Sequence, residues 1–198
     1  MTEKPYHHGD LEAALTNAAL DFVQTSGIAA LTLRDLARTL DVSPSAVYRH
    51  FPSRDHLVSR VSQAARESLA HALLEARDAV ISNGRAKRRS IERFEAIGRA
   101  YVVFATQHSS LFAAAFVRCD VPPAADDDPS AWSVLVEAVN EMIESGAIPA
   151  SRRADAPIIA WAGVHGLANI LTASIWPTGY AFDNEIDAVV TGISRAIS

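Results

Sequence analysis

The chain has 198 residues, of which 49% are hydrophobic, and it carries a formal net charge of −5. This composition excludes a disordered or fibrous protein and suffices for one domain, or for a small domain joined to a larger one. The single cysteine, Cys119, cannot form an internal disulfide, and the start of the chain lacks a secretory pattern, so we expect a cytoplasmic protein. The negative charge does not favour nucleic-acid binding, but it leaves room for a local basic surface.

Apolar residues recur at helical spacing along almost the whole chain, and no sustained alternating strand pattern is present. The sequence therefore predicts an all-α protein of about nine helices. The predicted helices cover approximately residues 10–26, 33–40, 44–51, 53–82, 90–107, 110–118, 129–145, 152–175 and 183–197. The basic run at 85–89 is interpreted as a solvated loop rather than as a nucleic-acid contact, and 120–129 is predicted to be a loop as well.

One apolar stretch requires comparison with a membrane span. Ile158–Trp176 contains no charged residue and is about as long as a span of roughly 20 residues. It also contains polar residues, among them His165 and Asn169, which fit a helix buried by protein better than one facing lipid. We therefore expect no contact with a membrane.

Local signals in the first quarter of the chain predict two short helices separated by a tight break at 41–42. Thr32 is placed to cap the first of them, and Asp35, three residues later, completes a pair that resembles a capping box. Ser43 can cap the second, and Pro44 follows at the first helical position, where its missing N–H costs nothing. Two short helices in this arrangement form a helix-turn-helix, which places its second helix in the major groove of DNA.

The apolar residues of this segment are expected to form its core, which leaves a polar face outward. The expected core residues are Leu33, Leu36, Leu40, Val42, Val47 and Phe51. The residues expected to face outward are Ser45, Ala46, Tyr48, Arg49 and His50. Such a mixture suits phosphate oxygens, thymine methyl groups and guanine edges, and Arg34, Arg49 and Arg54 would supply a basic surface if the fold brings them together.

Residues 30–57 read ALTLRDLARTLDVSPSAVYRHFPSRDHL and resemble the DNA-binding domain of TetR-type (TetR/AcrR family) regulators. The positions that carry the resemblance are Thr32, Leu36-Ala37, Val42-Ser43, Val47-Tyr48, His50-Phe51 and Ser53-Arg54. The resemblance implies an N-terminal three-helix helix-turn-helix domain at 1–56, with the motif at about 30–51. It also implies a C-terminal helical bundle at 57–198 that binds a small-molecule effector and dimerises.

The same resemblance assigns the DNA contacts. The implied DNA-binding residues are Thr32, Arg34, Ser43, Ser45, Ala46, Tyr48, Arg49, His50 and Arg54. Thr32 and Ser43 are expected near phosphates at helix N-termini, and Tyr48 and His50 are expected to touch the DNA backbone. Arg54 is expected to meet a phosphate at the start of the fourth helix, and the partner is expected to be double-stranded operator DNA.

The C-terminal part resembles the family less closely. Trp161, His165 and Gly166 look like the Trp-x-x-x-His-Gly signature of one branch of its C-terminal domains. Family analogy implies a homodimer through the last two helices, at about 152–175 and 183–197. An apolar stripe near the end of the chain supports this expectation, because something must cover it. The stripe comprises Ile186, Val189, Val190, Ile193 and Ile197.

Aromatic residues at helical spacing are usually core, but several of them also suit the wall of a ligand pocket. The candidate ligand-binding residues are Phe94, Tyr101, Phe104, Phe116, Trp132, His165 and Asn169. For His165 a core position, a ligand contact and metal binding all remain open, in that order of preference. We expect a small-molecule inducer and predict no cofactor and no resident metal.

Two other classes of protein are alternatives to a DNA-binding regulator. An enzyme is not expected, because no P-loop, His-Glu-x-x-His, Gly-x-Ser-x-Gly or dinucleotide-binding pattern is present, and Cys119 is the only nucleophile worth naming. A helical protein-interaction module without DNA binding is the second alternative. Tyr48, Arg49 and Arg54 argue against it.

Overall fold

The computed structural model describes residues 8–118, 129–173 and 181–198, with side chains from Leu11 onward. In this part of the chain there are nine α-helices and no β-strand, which confirms the predicted all-α class. The helices are α1 (His8–Ser26), α2 (Leu33–Thr39), α3 (Pro44–His50), α4 (Arg54–Asp78), α5 (Ala86–Gln107), α6 (Ser109–Ala115), α7 (Ala131–Glu144), α8 (Ala156–Thr172) and α9 (Asp183–Ile197).

The chain forms two compact units. The first comprises Met1–Arg66 and Ser110–Asp127, and the second comprises Glu67–Ser109 and Asp128–Ser198, so far as these segments are described. α4 therefore contributes residues to both units. The predicted functional boundary between 56 and 57 lies ten residues before the point at which α4 passes from one unit to the other, and it remains a prediction.

In the first unit, short polar residues and unusual backbone angles set the helix ends. Gly27 adopts a φ of 76° after α1, a conformation that favours glycine. The Thr32 hydroxyl accepts a hydrogen bond from the Asp35 N–H at 3.2 Å, and the Ser43 hydroxyl accepts one from the Ala46 N–H at 3.2 Å. Both N-caps match the sequence prediction.

The first unit has a continuous apolar core. Its buried members include Leu15, Ala19, Val23, Leu31, Leu33, Leu36, Ala37, Val47, Phe51, Leu57, Val58 and Val61. A second group of contacts involves α6, whose last carbonyl, that of Ala115, accepts hydrogen bonds from Ser62 Oγ at 3.3 Å and from Arg66 at 3.2 Å. These bonds satisfy an acceptor that the helix end would otherwise leave without a partner.

The second unit is built around α5, which packs against α7, α8 and α9, while α8 also packs against α7 and α9. Ion pairs tie α5 to two of its neighbours: Arg93 pairs with Glu141 of α7 at 3.0 Å, and Arg99 pairs with Asp187 of α9. At Gly163 of α8, an added Cβ would lie 2.5 Å from Cδ1 of Ile193, so glycine permits a close approach of α9 there.

The structure corrects several predicted boundaries. α4 ends at Asp78 rather than near 82, and α5 begins at Ala86 rather than Ser90. Most of the basic run therefore lies in the first turns of α5 instead of in a loop. Positive charge is unfavourable at a helix N-terminus, and the Arg88–Glu92 pair at 2.7 Å partly offsets it. α8 is also shorter than predicted, because a 3-10 turn occupies Ala150–Arg153.

Within the described ranges, no helix is both long and apolar enough to span a bilayer. Some predictions lie outside these ranges. Cys119 and nearly all of the predicted loop at 120–129 are among the residues not described, as is the end of the apolar stretch at Trp176.

Candidate DNA-binding surface and ligand cavity

α2 and α3 pack together and are joined by a tight turn. In this turn the Val42 N–H donates to the carbonyl of Ala37 at 3.0 Å, and Asp41 adopts a φ of 50°. Aspartate tolerates this left-handed conformation better than most residues. The turn thus reverses the chain between two helices of seven residues each, which is the predicted helix-turn-helix.

α3 presents one polar face and one buried face. Val47 is fully buried and Phe51, the C-cap residue, is 3% exposed. Pro44, Ser45, Tyr48 and Arg49 are exposed on the opposite side, as predicted for the last three. Tyr48 and Arg49 lie three and four residues after Ser45, so all three side chains share one side of the helix.

Two residues expected to face outward are only partly exposed. Ala46 is half-buried, and the His50 side chain is only 14% exposed. His50 Nδ1 lies 3.7 Å from Oε2 of Glu12, so α3 ends against α1. The outward-facing expectation for His50 is therefore wrong, because the last turn of α3 rotates this position towards a neighbouring helix. Its implied contact with the DNA backbone remains a prediction.

The hydroxyl groups expected near phosphates are engaged in capping. Thr32 Oγ1 donates to the Asp35 carboxylate at 2.6 Å, and Arg38 reaches the same carboxylate at 2.7 Å. Ser43 Oγ lies 3.0 Å from Ser45 Oγ. Thr32 and Ser43 thus fix the starts of α2 and α3. Both residues are also exposed, and their contacts with phosphates remain a prediction.

Arg54 has a structural role that the sequence did not reveal. Its guanidinium donates to the carbonyls of Leu31 at 3.0 Å, Ile28 at 3.0 Å and Ala29 at 3.1 Å. The first residue of α4 therefore holds the 3-10 turn that connects α1 to α2. Arginine suits this task because its planar fork can satisfy several acceptors at once.

The second unit contains an apolar cavity of about 20 Å³. It is lined by Leu73, Phe94, Ile97, Gly98, Tyr101, Ala131, Leu135, Ala160, Trp161, Val164, Val190 and Ile193. A volume of roughly 10–15 Å³ on this scale accommodates one water molecule. The cavity as it stands is therefore too small for an organic ligand, and any such ligand must displace part of the wall.

Four aromatic rings form one cluster at the edge of this cavity. The Tyr101 hydroxyl lies 2.7 Å from His165 Nδ1, and the Trp161 ring stacks on His165 with centroids 5.8 Å apart. Trp161 also contacts Tyr101 edge-on at 5.4 Å and Trp132 at 5.8 Å. Burial raises the pKa of Tyr101 and lowers the pKa of His165, so both side chains favour their neutral forms.

The predicted ligand-binding residues divide into three groups. Phe94 and Tyr101 line the cavity, and Trp132 and His165 belong to the aromatic cluster beside it. Phe104 is buried against His108 and does not line the cavity. Phe116 and Asn169 do not line it either: Phe116 belongs to the first unit, and Asn169 is exposed and donates to the His165 carbonyl at 2.7 Å.

The sequence reasoning missed the aliphatic part of the wall and the ring at its centre. The sequence identifies Trp161 only as a signature residue, although it contacts three aromatic neighbours. Gly98 is not among the predicted site residues, although an added Cβ there would lie 3.4 Å from Val190 and 3.6 Å from Val164. A glycine inside a predicted helix that faces its core was the available signal.

The structure also corrects the reasoning about the last helix. Ile186, Val190, Ile193 and Ile197 of α9 are at most 9% exposed within this chain, because α5 and α8 cover them. The exposed apolar surface lies instead on α8, where Ile158 and Ile170 are each 54% exposed. The stripe on α9 therefore gives no support for a dimer.

Comparison with known proteins agrees with this architecture. Residues 15–61 match the family model described as bacterial regulatory proteins, tetR family, and 94–191 match one described as a tetracyclin repressor-like C-terminal domain. No curated protein matches the chain.

Solved structures of the same fold cover nearly the whole chain. A protein of unknown function from Rhodococcus sp. RHA1 is 28% identical with a TM-score of 0.79, covering 98% of this chain and 99% of its own. The TetR family transcriptional regulator PfmR from Thermus thermophilus is 17% identical, with a TM-score of 0.58 and coverage of 92% and 97%. A TetR variant from Acinetobacter baumannii AYE, in complex with minocycline, is 17% identical, with a TM-score of 0.59 and coverage of 94% for each chain.

A helix-turn-helix with an exposed polar recognition face, followed by a helical unit with an apolar cavity, defines a DNA-binding, ligand-responsive transcription regulator. The two matched regions together extend over most of the chain. The protein belongs to the TetR family of bacterial regulatory proteins. Its assignment to the Trp-His-Gly branch remains a prediction.

Substituting Arg54 with lysine keeps the charge but removes the fork that holds three carbonyls. We expect Arg54→Lys to lower the free energy of unfolding by about 1–2 kcal/mol, measured by urea denaturation. Arg49→Lys is the matched control, because Arg49 is exposed on α3, and it should leave stability unchanged. Equal stability of both variants would show that the three bonds do not hold the turn.

The buried environment of His165 predicts a pH dependence of stability. Because its pKa is lowered in the folded state, the unfolded chain binds the proton more readily, and stability should fall as the pH drops below about 6.5. His165→Gln should therefore lose less stability than wild type between about pH 8 and pH 5, measured by thermal unfolding. His71→Gln, at an exposed position, should retain the wild-type profile.

Proposed function

We propose that the chain is a homodimeric repressor that binds a palindromic operator with α3 in the major groove and releases it when a small molecule enters the second unit. The observation that supports this proposal most directly is the division of α3 into a buried face and an exposed polar face. A helix of seven residues with this division can enter the groove end-on, with its first residues on base edges.

Ser45, Tyr48 and Arg49 are the side chains best placed to meet DNA, since all three are exposed on the same face of α3. Arginine can form two hydrogen bonds to guanine, and tyrosine and serine hydroxyls suit phosphate oxygens. Thr32 and Arg34, at the start of α2, are exposed and are assigned to the DNA backbone. Arg54 supports this surface by holding the turn before α2.

Dimerisation is assigned to the outer faces of α8 and α9. On α8, the exposed Ile159 and Ile170 lie about three turns apart and therefore on one side of the helix. On α9, the exposed small residues Ala188, Gly192 and Ala196 recur every four positions and would allow a partner helix to approach closely. Exposed apolar and small residues on two helices that pack together suit an interaction surface.

The regulatory step is assigned to α4, which contributes residues to both units. The recognition helices of a dimer must match half-sites about 34–36 Å apart, so a small tilt of α4 would weaken binding without changing any DNA contact. A ligand shifts the equilibrium between the DNA-binding and the tilted conformation only by as much as it binds one of them more tightly than the other. We place the protein in the cytoplasm and assign it no catalytic role, consistent with its family.

Arg49→Ala should weaken operator binding about tenfold and reduce the salt dependence of the affinity, because one cationic contact is removed. The measurement is fluorescence anisotropy with a DNA fragment from upstream of the chain's own gene, at several salt concentrations. Arg89→Ala, at an exposed position of α5, is the control and should bind like wild type. If the anisotropy of no genomic DNA fragment rises when wild-type protein is added, the result favours a protein-interaction module without DNA binding.

Ile170→Glu should convert the dimer to a monomer, since it places a charge in the proposed apolar interface. Sedimentation velocity would show the change of mass, and DNA affinity should fall with it. Ile81→Glu is the matched control, because Ile81 is 93% exposed outside the helices and should tolerate the charge. A variant that stays dimeric would exclude α8 from the interface.

A further inference from the structure

The cavity of the second unit has walls of one chemical kind. Among the described residues that line it, ten are hydrocarbon side chains or glycine, and the other two are Tyr101 and Trp161. No Lys, Arg, Asp or Glu is present among these twelve residues. A ligand in this cavity would therefore meet no described counter-charge in its wall.

Tyr101 in the wall and His165 beside it both favour their neutral forms. The Tyr101 hydroxyl is hydrogen-bonded to His165 at 2.7 Å, and burial moves the pKa values of both residues away from their charged forms. Transfer of an ionised carboxylate or ammonium group into such surroundings is unfavourable, because no partner compensates its lost hydration. The wall exposes only apolar surface, so it favours a ligand that is uncharged and largely apolar.

One ring of the aromatic cluster lies between the cavity and an exposed indole. Trp161 lines the cavity, and its ring packs edge-on against Trp132, which is 43% exposed. The two indoles thus connect the cavity to the surface of the second unit. The Trp161 indole stacks on His165 and contacts Tyr101 edge-on. A ligand that took its place would make the same two contacts if it carried a planar aromatic ring.

We propose that the effector of this protein is an uncharged, largely apolar molecule with an aromatic ring, which enters the cavity by displacing the Trp161 indole. This inference rests on the proposed function, in which the second unit senses an effector, and it names the class of that effector.

Three probes of the same size test the role of charge: benzyl alcohol, benzoate and benzylammonium. Each is titrated into the protein without DNA, and binding is followed by isothermal titration calorimetry. Benzyl alcohol should bind saturably, and both ions should bind at least tenfold more weakly.

Gly98→Ala tests whether benzyl alcohol binds in this cavity. The added methyl group would lie 3.4 Å from Val190, inside the cavity, and alanine is a better helix former than glycine, so the variant should fold. It should bind benzyl alcohol at least tenfold more weakly than wild type. Ala86→Val is the control, because it also adds methyl groups to α5, but at an exposed position that does not line the cavity, and it should bind like wild type.

The proposal is overturned if either ion binds as tightly as benzyl alcohol, if no probe saturates, or if Gly98→Ala binds like wild type. Because the titration contains no DNA, its outcome is independent of operator binding. Failure of the protein to bind any operator fragment would contradict the proposed function and leave the ligand class intact.

Discussion

The orientation of α3 depends on the burial of Val47 and Phe51, which lie on its inner side. A helix of seven residues is not stable by itself in water, so its geometry must come from packing against α2 and the rest of the first unit. Truncating a large apolar side chain in such a core costs about 2–5 kcal/mol, a large part of a typical stability of 5–15 kcal/mol. The exposed Tyr48 and Arg49 are thus oriented by the buried Val47 and Phe51.

Polar contacts complete what packing begins. Thr32 and Ser43 fix where α2 and α3 start, and the three bonds from Arg54 fix the turn between α1 and α2. Because Nε and Nη2 of Arg54 are committed to three carbonyls, only the N–H groups of Nη1 remain for a phosphate, and a two-nitrogen fork is not available. The residue expected from the sequence to contact DNA therefore contributes first to the shape of the unit that does so.

Features determined by neighbouring residues were predictable from the sequence, and features determined by distant residues were not. The caps at Thr32 and Ser43 follow from hydrogen bonds over three residues, and they were predicted correctly. The approach of His50 to Glu12 and the bonds of Arg54 join residues more than twenty positions apart, which periodicity does not reveal. Likewise, an apolar stripe on α9 identifies a buried face but not whether this chain or a second copy buries it.

The composition of α8 reflects two different surfaces on one helix. Its inner side, with Ala160, Val164 and Trp161, forms part of the cavity wall, and Gly163 admits α9 at close range. Its outer side carries exposed isoleucines, among them Ile159 and Ile170. A helix that is apolar all round is usually buried on every side, so the outer face of α8 favours a protein partner. The stretch that resembled a membrane span is then explained by a core on one side and a proposed interface on the other.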